Sequence, residues 1–518
     1  MKKICAFLCL PVLMLAQQPD TTALRFSKYV TAEGMKQNLF VLASDEYEGR
    51  ETGQKGQKMA AEYITKYYKD LGIPSISSLK EGYQQSFPLA VFNPQEVKLS
   101  FNKKEYKQNV DYFTWANVTG DTTFIITDID FCGYGINTAA YNDYDKTEVK
   151  NKTVMILAGE PRKDEKSIIT GGNEPSDWAS NFRTKQTEAK KQGIKYLLIV
   201  DTNIAISYTQ QERRIKRTSM KIDDGTSTDY PFVIYISKQM ADEIIASSKQ
   251  KTENLAQTIS STAKPAHLSV KTSIEINFKQ AKQKTSAENV LAYIEGSDLK
   301  DEVVVLSAHY DHLGIQDGKV YNGADDDGSG TVAVMQLAKA FQEAKKQGKG
   351  PRRSILILNF SGEEKGLVGS EYYTEHPVFE LSKTVCDLNI DMIGRLDDPH
   401  KNNANYVYLI GSDKLSSELH KISEQANKTY TKLALDYTFN DEKDPNRFYY
   451  RSDHYNFAKN KVPVIFYFNG VHEDYHEETD EVQKIDFNKM EKISRLVFYT
   501  AWQIANQTAR IKTDSAKK

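Results

Sequence analysis

Four apolar runs in the C-terminal half constrain this chain most. Residues 303–308, 355–360, 388–390 and 462–468 are rich in Val, Ile, Leu and Phe and lack clean polar alternation. A strand with one face in water alternates, whereas a strand covered on both faces reads as a continuous apolar run. Helical stretches separate the runs. In residues 331–346, Val334, Leu337, Ala338 and Phe341 form an apolar stripe at helical spacing. Strand, helix, strand in succession predicts an α/β fold with a mostly parallel central sheet flanked by helices.

At 518 residues the chain exceeds one ordinary domain. Residues 26–73 read as helical, and the stripe over 59–72 stops at Gly72 before Pro74. Between about 93 and 270 the texture changes to short β-rich runs, with one helix at 184–192 and a long polar loop at 207–229. This predicts a mixed α/β module inserted into a domain formed by residues 17–92 and 271–506. The polar tail, 507–518, is expected to fray.

Lys2 and Lys3 precede an apolar stretch at 4–16, the pattern of a signal peptide cleaved near Ala16. Export to the periplasm or the extracellular space is the expectation; the stretch is too short to span a membrane. Cleavage leaves two of the four cysteines, Cys132 and Cys386. They fall in different expected domains and read as separate buried thiols, which excludes a thiolate zinc site. With 68 basic and 70 acidic residues, no nucleic-acid partner is indicated.

In open α/β sheets ligands bind at the carboxyl ends of the strands. The first run here is followed by His309-Tyr310-Asp311-His312, the second by Ser361-Gly362-Glu363-Glu364, the third by Asp391 and the fourth by Tyr475-His476. The turn Gly323-Ala324-Asp325-Asp326-Asp327-Gly328-Ser329-Gly330 lies between the first two. Taken singly, a strand-end His is usually an ordinary histidine, an Asp triplet before a helix is often a cap, and a Glu pair is usually a solvated turn. Together they bring His and carboxylate donors to one rim, a ligand set suited to zinc. His309 and Asp311 share a face of extended chain, so Asp311 can accept the second ring N–H of a metal-bound His309. Of Glu363 and Glu364, one can bind metal while its neighbour holds a water.

These segments resemble the co-catalytic zinc exopeptidase family that includes bacterial leucyl aminopeptidases and glutamate carboxypeptidases. The likeness runs over residues 31–90 and 280–500. Ser452-Asp453-His454, Val462-Pro463 and Glu48-Gly49-Arg50 also fit secreted bacterial members. The resemblance implies two zinc ions bridged by Asp326. His309 and Asp391 would complete one position, and Glu364 and His476 the other. It further implies Glu363 as general base, Asp311 as orienter of His309 and Tyr475 as oxyanion stabiliser. Glu477-Glu478 departs from the Thr-Pro that many members carry after the last histidine. The insert resembles a protease-associated domain through Gly133-Tyr134-Gly135-Ile136, residues 154–161 and Lys190-Lys191-Gln192-Gly193-Ile194. The implied function is aminopeptidase action on peptides. A dipeptidase or carboxypeptidase remains open through Arg395, Arg447 and Arg451. A glutaminyl cyclase-like enzyme with one zinc and a metal-free binding protein are the further alternatives.

Overall fold

The computed structural model describes residues 18–514 apart from 116–118, 146, 224 and 226–229, so the expected signal peptide lies outside the described residues. The chain divides into two compact units, one formed by the chain up to Leu89 and from Thr285 onward, the other by Ala90–Lys284.

The first unit is built on a sheet whose strands include β1 (Lys282–Ile294), β2 (Leu299–His309), β3 (Arg353–Phe360), β4 (Thr384–Ile390), β5 (Tyr406–Ile410), β6 (Ala434–Asp436) and β7 (Val464–Phe468), in the order β1-β3-β2-β4-β7-β5-β6. β3, β2, β4 and β7 run parallel, and antiparallel β1 and β5 flank them. The missing alternation has a direct cause. Val304, Leu306, Ala308, Ile355 and Ile357 enter one core, while Val303, Val305, Leu356, Leu358 and Phe360 enter the other. The first core is closed by helices α1 (Ala32–Leu42), α2 (Lys55–Asp70), α3 (Gly330–Lys346) and α4 (Phe487–Asn506). Phe341 of α3 packs on Phe498 and Trp502 of α4, at ring separations of 4.9 and 6.0 Å. The second core is closed by Tyr373 and Phe457.

One polar thread crosses these apolar strands. The buried Ser307 hydroxyl contacts Asp387 Oδ1 at 2.7 Å and Asn389 Oδ1 at 2.8 Å, and Asn389 Nδ2 donates to Ser452 Oγ at 2.9 Å. Ser307 stands directly opposite Asn389 in the β2–β4 ladder.

The second unit carries its own sheet. The strands His267–Gln280, Gly120–Cys132, Thr153–Leu157, Tyr196–Asp201 and Phe232–Ser237 lie side by side in that order. The seam falls after Lys284 and not at 270, because His267–Gln280 pairs along its length with Gly120–Cys132. The expected loop at 207–229 begins instead with a helix, Ile204–Lys216. Ile204 and Tyr208 are buried there, and Glu212 pairs with Lys216 one turn on. The tail does not fray over 507–514. Ile511 is buried, Arg510 donates to the carbonyls of Ser382 and Thr384, and the Asp514 carboxylate accepts from Ser417 N at 2.7 Å. Cys132 and Cys386 are buried free thiols. Among the described residues no helix is long and apolar enough to cross a membrane.

Candidate metal centre

Each of the four parallel strands hands a donor to one rim of the sheet. β2 ends on His309, Glu363 and Glu364 follow β3, Asp391 follows β4, and the loop after β7 carries His476. The turn into α3 brings Asp326, which is 3 % exposed. His309 Nε2 lies 3.3 Å from Asp326 Oδ1, 3.6 Å from Asp391 Oδ1 and 3.9 Å from Glu363 Oε2. On the other side, His476 Nε2 lies 3.0 Å from Asp326 Oδ2 and 3.3 Å from Glu364 Oε1. All five expected ligands therefore converge, and Asp326 turns one oxygen to each histidine.

These atoms sit close without bonding one another. His309 Nε2, Asp326 Oδ2 and Glu364 Oε1 are buried and have no hydrogen-bond partner, although buried polar atoms are normally satisfied. One divalent cation beside His309 and a second beside Asp326 Oδ2 and Glu364 Oε1 would satisfy all three, so the residues fit the two-metal set. The electrostatics agree. Burial opposes charge on His309, yet Asp391, Glu363 and neighbouring acids outweigh it and raise the imidazole well above its usual range. Burial likewise opposes charge on His476, but Asp326 and Glu364 bring it to about 10. Such a field favours positive charge at the rim. Glu363 is raised well above the ordinary carboxylate range, first by burial, with His309 opposing and Glu364 and Asp391 adding to the rise.

The supporting contacts differ in part from expectation. His309 Nδ1 faces the main-chain carbonyl of Asp311 at 3.1 Å, with the Asp311 carboxylate farther off at 3.6 Å. That carboxylate accepts from Thr52 Oγ1 at 2.7 Å and from the Glu363 amide at 3.2 Å. Asp311 thus holds the backbone of Glu363 as well as facing His309. Tyr475 stacks on His476 at 3.9 Å, and its hydroxyl accepts from Arg451 Nη2 at 3.1 Å. A pocket opens beside the centre, with Asp326, Glu363 and Asp391 on one wall. Met392, Phe448, Phe466 and Phe468 form the apolar wall, and Arg451 and Tyr475 complete the lining.

Sequence reasoning missed the anchors beneath these ligands. Asp327 accepts from the amides of His309, Gly330 and Met392 at 3.2, 2.8 and 3.0 Å. Asp480 accepts from the amides of Asp325 and Asp326, each at 3.1 Å or less. Arg50, 1 % exposed, donates to the carbonyls of Tyr310, Leu42, Asn322 and Gly323 at 2.6, 2.7, 2.7 and 2.9 Å. His312 stands 3.0 Å from Glu364 through its Nδ1. Its only sequence signal was the spacing of two histidines in His309-Tyr310-Asp311-His312.

Known proteins resemble this chain in sequence and in fold. Residues 289–501 match peptidase family M28. The chain is 37% identical over 105 residues to a probable glutamate carboxypeptidase, LAMP1, of Arabidopsis thaliana, covering 20% of this chain and 14% of that protein. It is 28% identical over 263 residues to a probable zinc metalloprotease of Pyrenophora tritici-repentis, covering 43% of this chain and 52% of that protein. These matches thus span about half or less of each curated relative. In fold, the chain is similar to an aminopeptidase from Aneurinibacillus sp. strain AM-1, with a TM-score of 0.52 at 18% identity, over 96% of this chain and 98% of that one. The stretch that matches peptidase family M28, residues 289–501, holds every donor of the centre.

Proposed function

We propose that the chain is a two-zinc aminopeptidase that hydrolyses the N-terminal residue of peptides. The observation that carries this is the convergence of His309, Asp326, Glu364, Asp391 and His476 beside a pocket that also contains Glu363. The names of the Aneurinibacillus and Pyrenophora proteins support it. When bound, two zinc ions supply an acidified water and a polarised scissile carbonyl. Glu363 Oε2 then takes the water's proton and passes it to the leaving amine. The Tyr475 hydroxyl faces the developing oxyanion. Asp311 keeps Glu363 in place through its amide. The peptide's N-terminal residue enters the pocket beside the metal positions, where the Met392, Phe448, Phe466 and Phe468 wall takes an apolar first side chain.

One observation favours a second reading, a carboxypeptidase or dipeptidase. Of the three arginines singled out in the sequence, Arg395 is tied to Asp474 at 2.7 Å, Arg447 lies over the Tyr450 ring at 4.8 Å, and Arg451 lines the pocket. Arg451 could seat a peptide carboxylate. Zinc-loaded protein should cleave free peptides and fail on N-acetylated ones, with chelator abolishing activity and zinc restoring it. Turnover of N-acetylated peptides that is lost on C-terminal amidation would reverse the assignment in favour of the second reading.

We read Ala90–Lys284 as a non-catalytic, protease-associated-like module, since none of the five donors lies in it. Export is proposed from Lys2, Lys3 and the apolar stretch 4–16. N-terminal sequencing of the secreted or periplasmic protein should begin near Gln17; uncleaved cytoplasmic protein rules this out.

A further inference from the structure

His312 has no task in the five-ligand scheme, yet it is 0 % exposed and neither ring nitrogen has a hydrogen-bond partner. Its Nδ1 lies 3.0 Å from Glu364 Oε1 and 4.0 Å from Asp326 Oδ2. His476 Nε2 lies 3.3 and 3.0 Å from the same two oxygens. A tetrahedral zinc with ligands at about 2.0–2.1 Å places those ligands about 3.3 Å from one another. The four measured separations bracket that value.

A hydrogen bond from His312 to Glu364 is the simpler alternative, but the geometry opposes it. The two atoms are 3.0 Å apart, yet neither has a hydrogen-bond partner of good geometry. Asp327 shows the contrast. Its carboxylate lies within 4.8 Å of His309 and Asp391 donor atoms, but main-chain amides occupy its oxygens.

We propose that His312 is a fourth protein ligand at the metal position formed by Asp326 Oδ2, Glu364 and His476. This rests on the two-metal reading above. The two positions are then unlike. One has four protein donors. The other has His309, Asp326 and Asp391 and keeps a corner open beside Glu363.

The test is zinc binding, measured by chelator competition on the full chain stripped of metal, with inductively coupled plasma analysis for stoichiometry. Wild type should take up two ions. His312→Ala should bind one as wild type does and the other about 100-fold or more weaker, at or beyond the upper end for loss of a mere supporting contact. His312→Asn, which keeps a donor for Glu364, should show the same loss. X-ray absorption on zinc-loaded wild type should count three imidazoles for two ions, a readout independent of how the variants fold. Unchanged affinity in both variants, recovery by Asn, or a count of two imidazoles overturns the proposal. A wild type that holds fewer than two ions overturns the two-metal reading and this inference with it.

Discussion

Glu363→Gln should retain both zinc ions and lose about 10²–10⁴ in kcat, the usual contribution of a positioned general base. The side chain is nearly isosteric, and none of the closest contacts, between 3.0 and 3.6 Å, that join the five donors involves Glu363. The amide also keeps its place, because the main-chain N–H of residue 363 still reaches Asp311 Oδ1 at 3.2 Å. What disappears is a buried carboxylate whose proton affinity is raised by burial and by Glu364 and Asp391. KM should move little, since proton transfer matters in the transition state. The neighbour makes the control: Glu364→Ala should lose zinc along with activity. Near-normal kcat in Glu363→Gln with both ions present would assign water activation to another group.

The second large effect is expected far from the chemistry. Arg50→Met should destabilise the first unit by about 3–5 kcal/mol, because four buried carbonyls lose a charged donor at about 1–3 kcal/mol each. The guanidinium is enclosed, and burial lowers its pKa to about 10 against the pull of Asp311 and Asp480. Its donors join the carbonyl of Tyr310, beside His309, to those of Asn322 and Gly323, which open the Asp326 turn. Without it, buried carbonyls are left unpaired and the two ligand segments lose their common tie. Arg50→Lys should not rescue, because a single ammonium cannot reproduce a planar fork of diverging donors. Thermal denaturation with zinc analysis checks both parts. A melting curve and metal content like those of wild type would show the tie to be dispensable.

What could be read in the sequence followed from how each residue expresses its role. Central strands announce themselves through apolar runs, so the strand ends, and with them His309, Glu364, Asp391 and His476, could be located. Asp326 stood out within its turn. The anchors did not, because Asp327 and Asp480 act on main-chain amides, and an amide carries no residue identity. Arg50 was visible only within a turn-rich motif, since its partners are all carbonyls. His312 follows His309 by three residues on a chain that is not helical, where that spacing predicts no common face. The seam at 284 was missed because His267–Gln280 alternates buried and exposed residues, a pattern either unit could have used. Ile204–Lys216 has so polar an exposed face that it reads as loop, although Ile204 and Tyr208 pack beneath it.

Strands that are apolar on both faces surrender the usual guarantee of register. Sliding β2 by one residue against β4 exchanges Val304 for Val303 and leaves both cores filled with hydrocarbon, so burial alone penalises the slip weakly. The Ser307–Asn389–Ser452 thread restores the guarantee, because the same slip would strand buried polar groups in hydrocarbon. One residue of slip displaces a strand end by about 3.3 Å, which is close to the whole 3.6 Å between His309 Nε2 and Asp391 Oδ1. A serine hydroxyl two residues upstream of His309 thus acts as the vernier that sets two strand ends to one height.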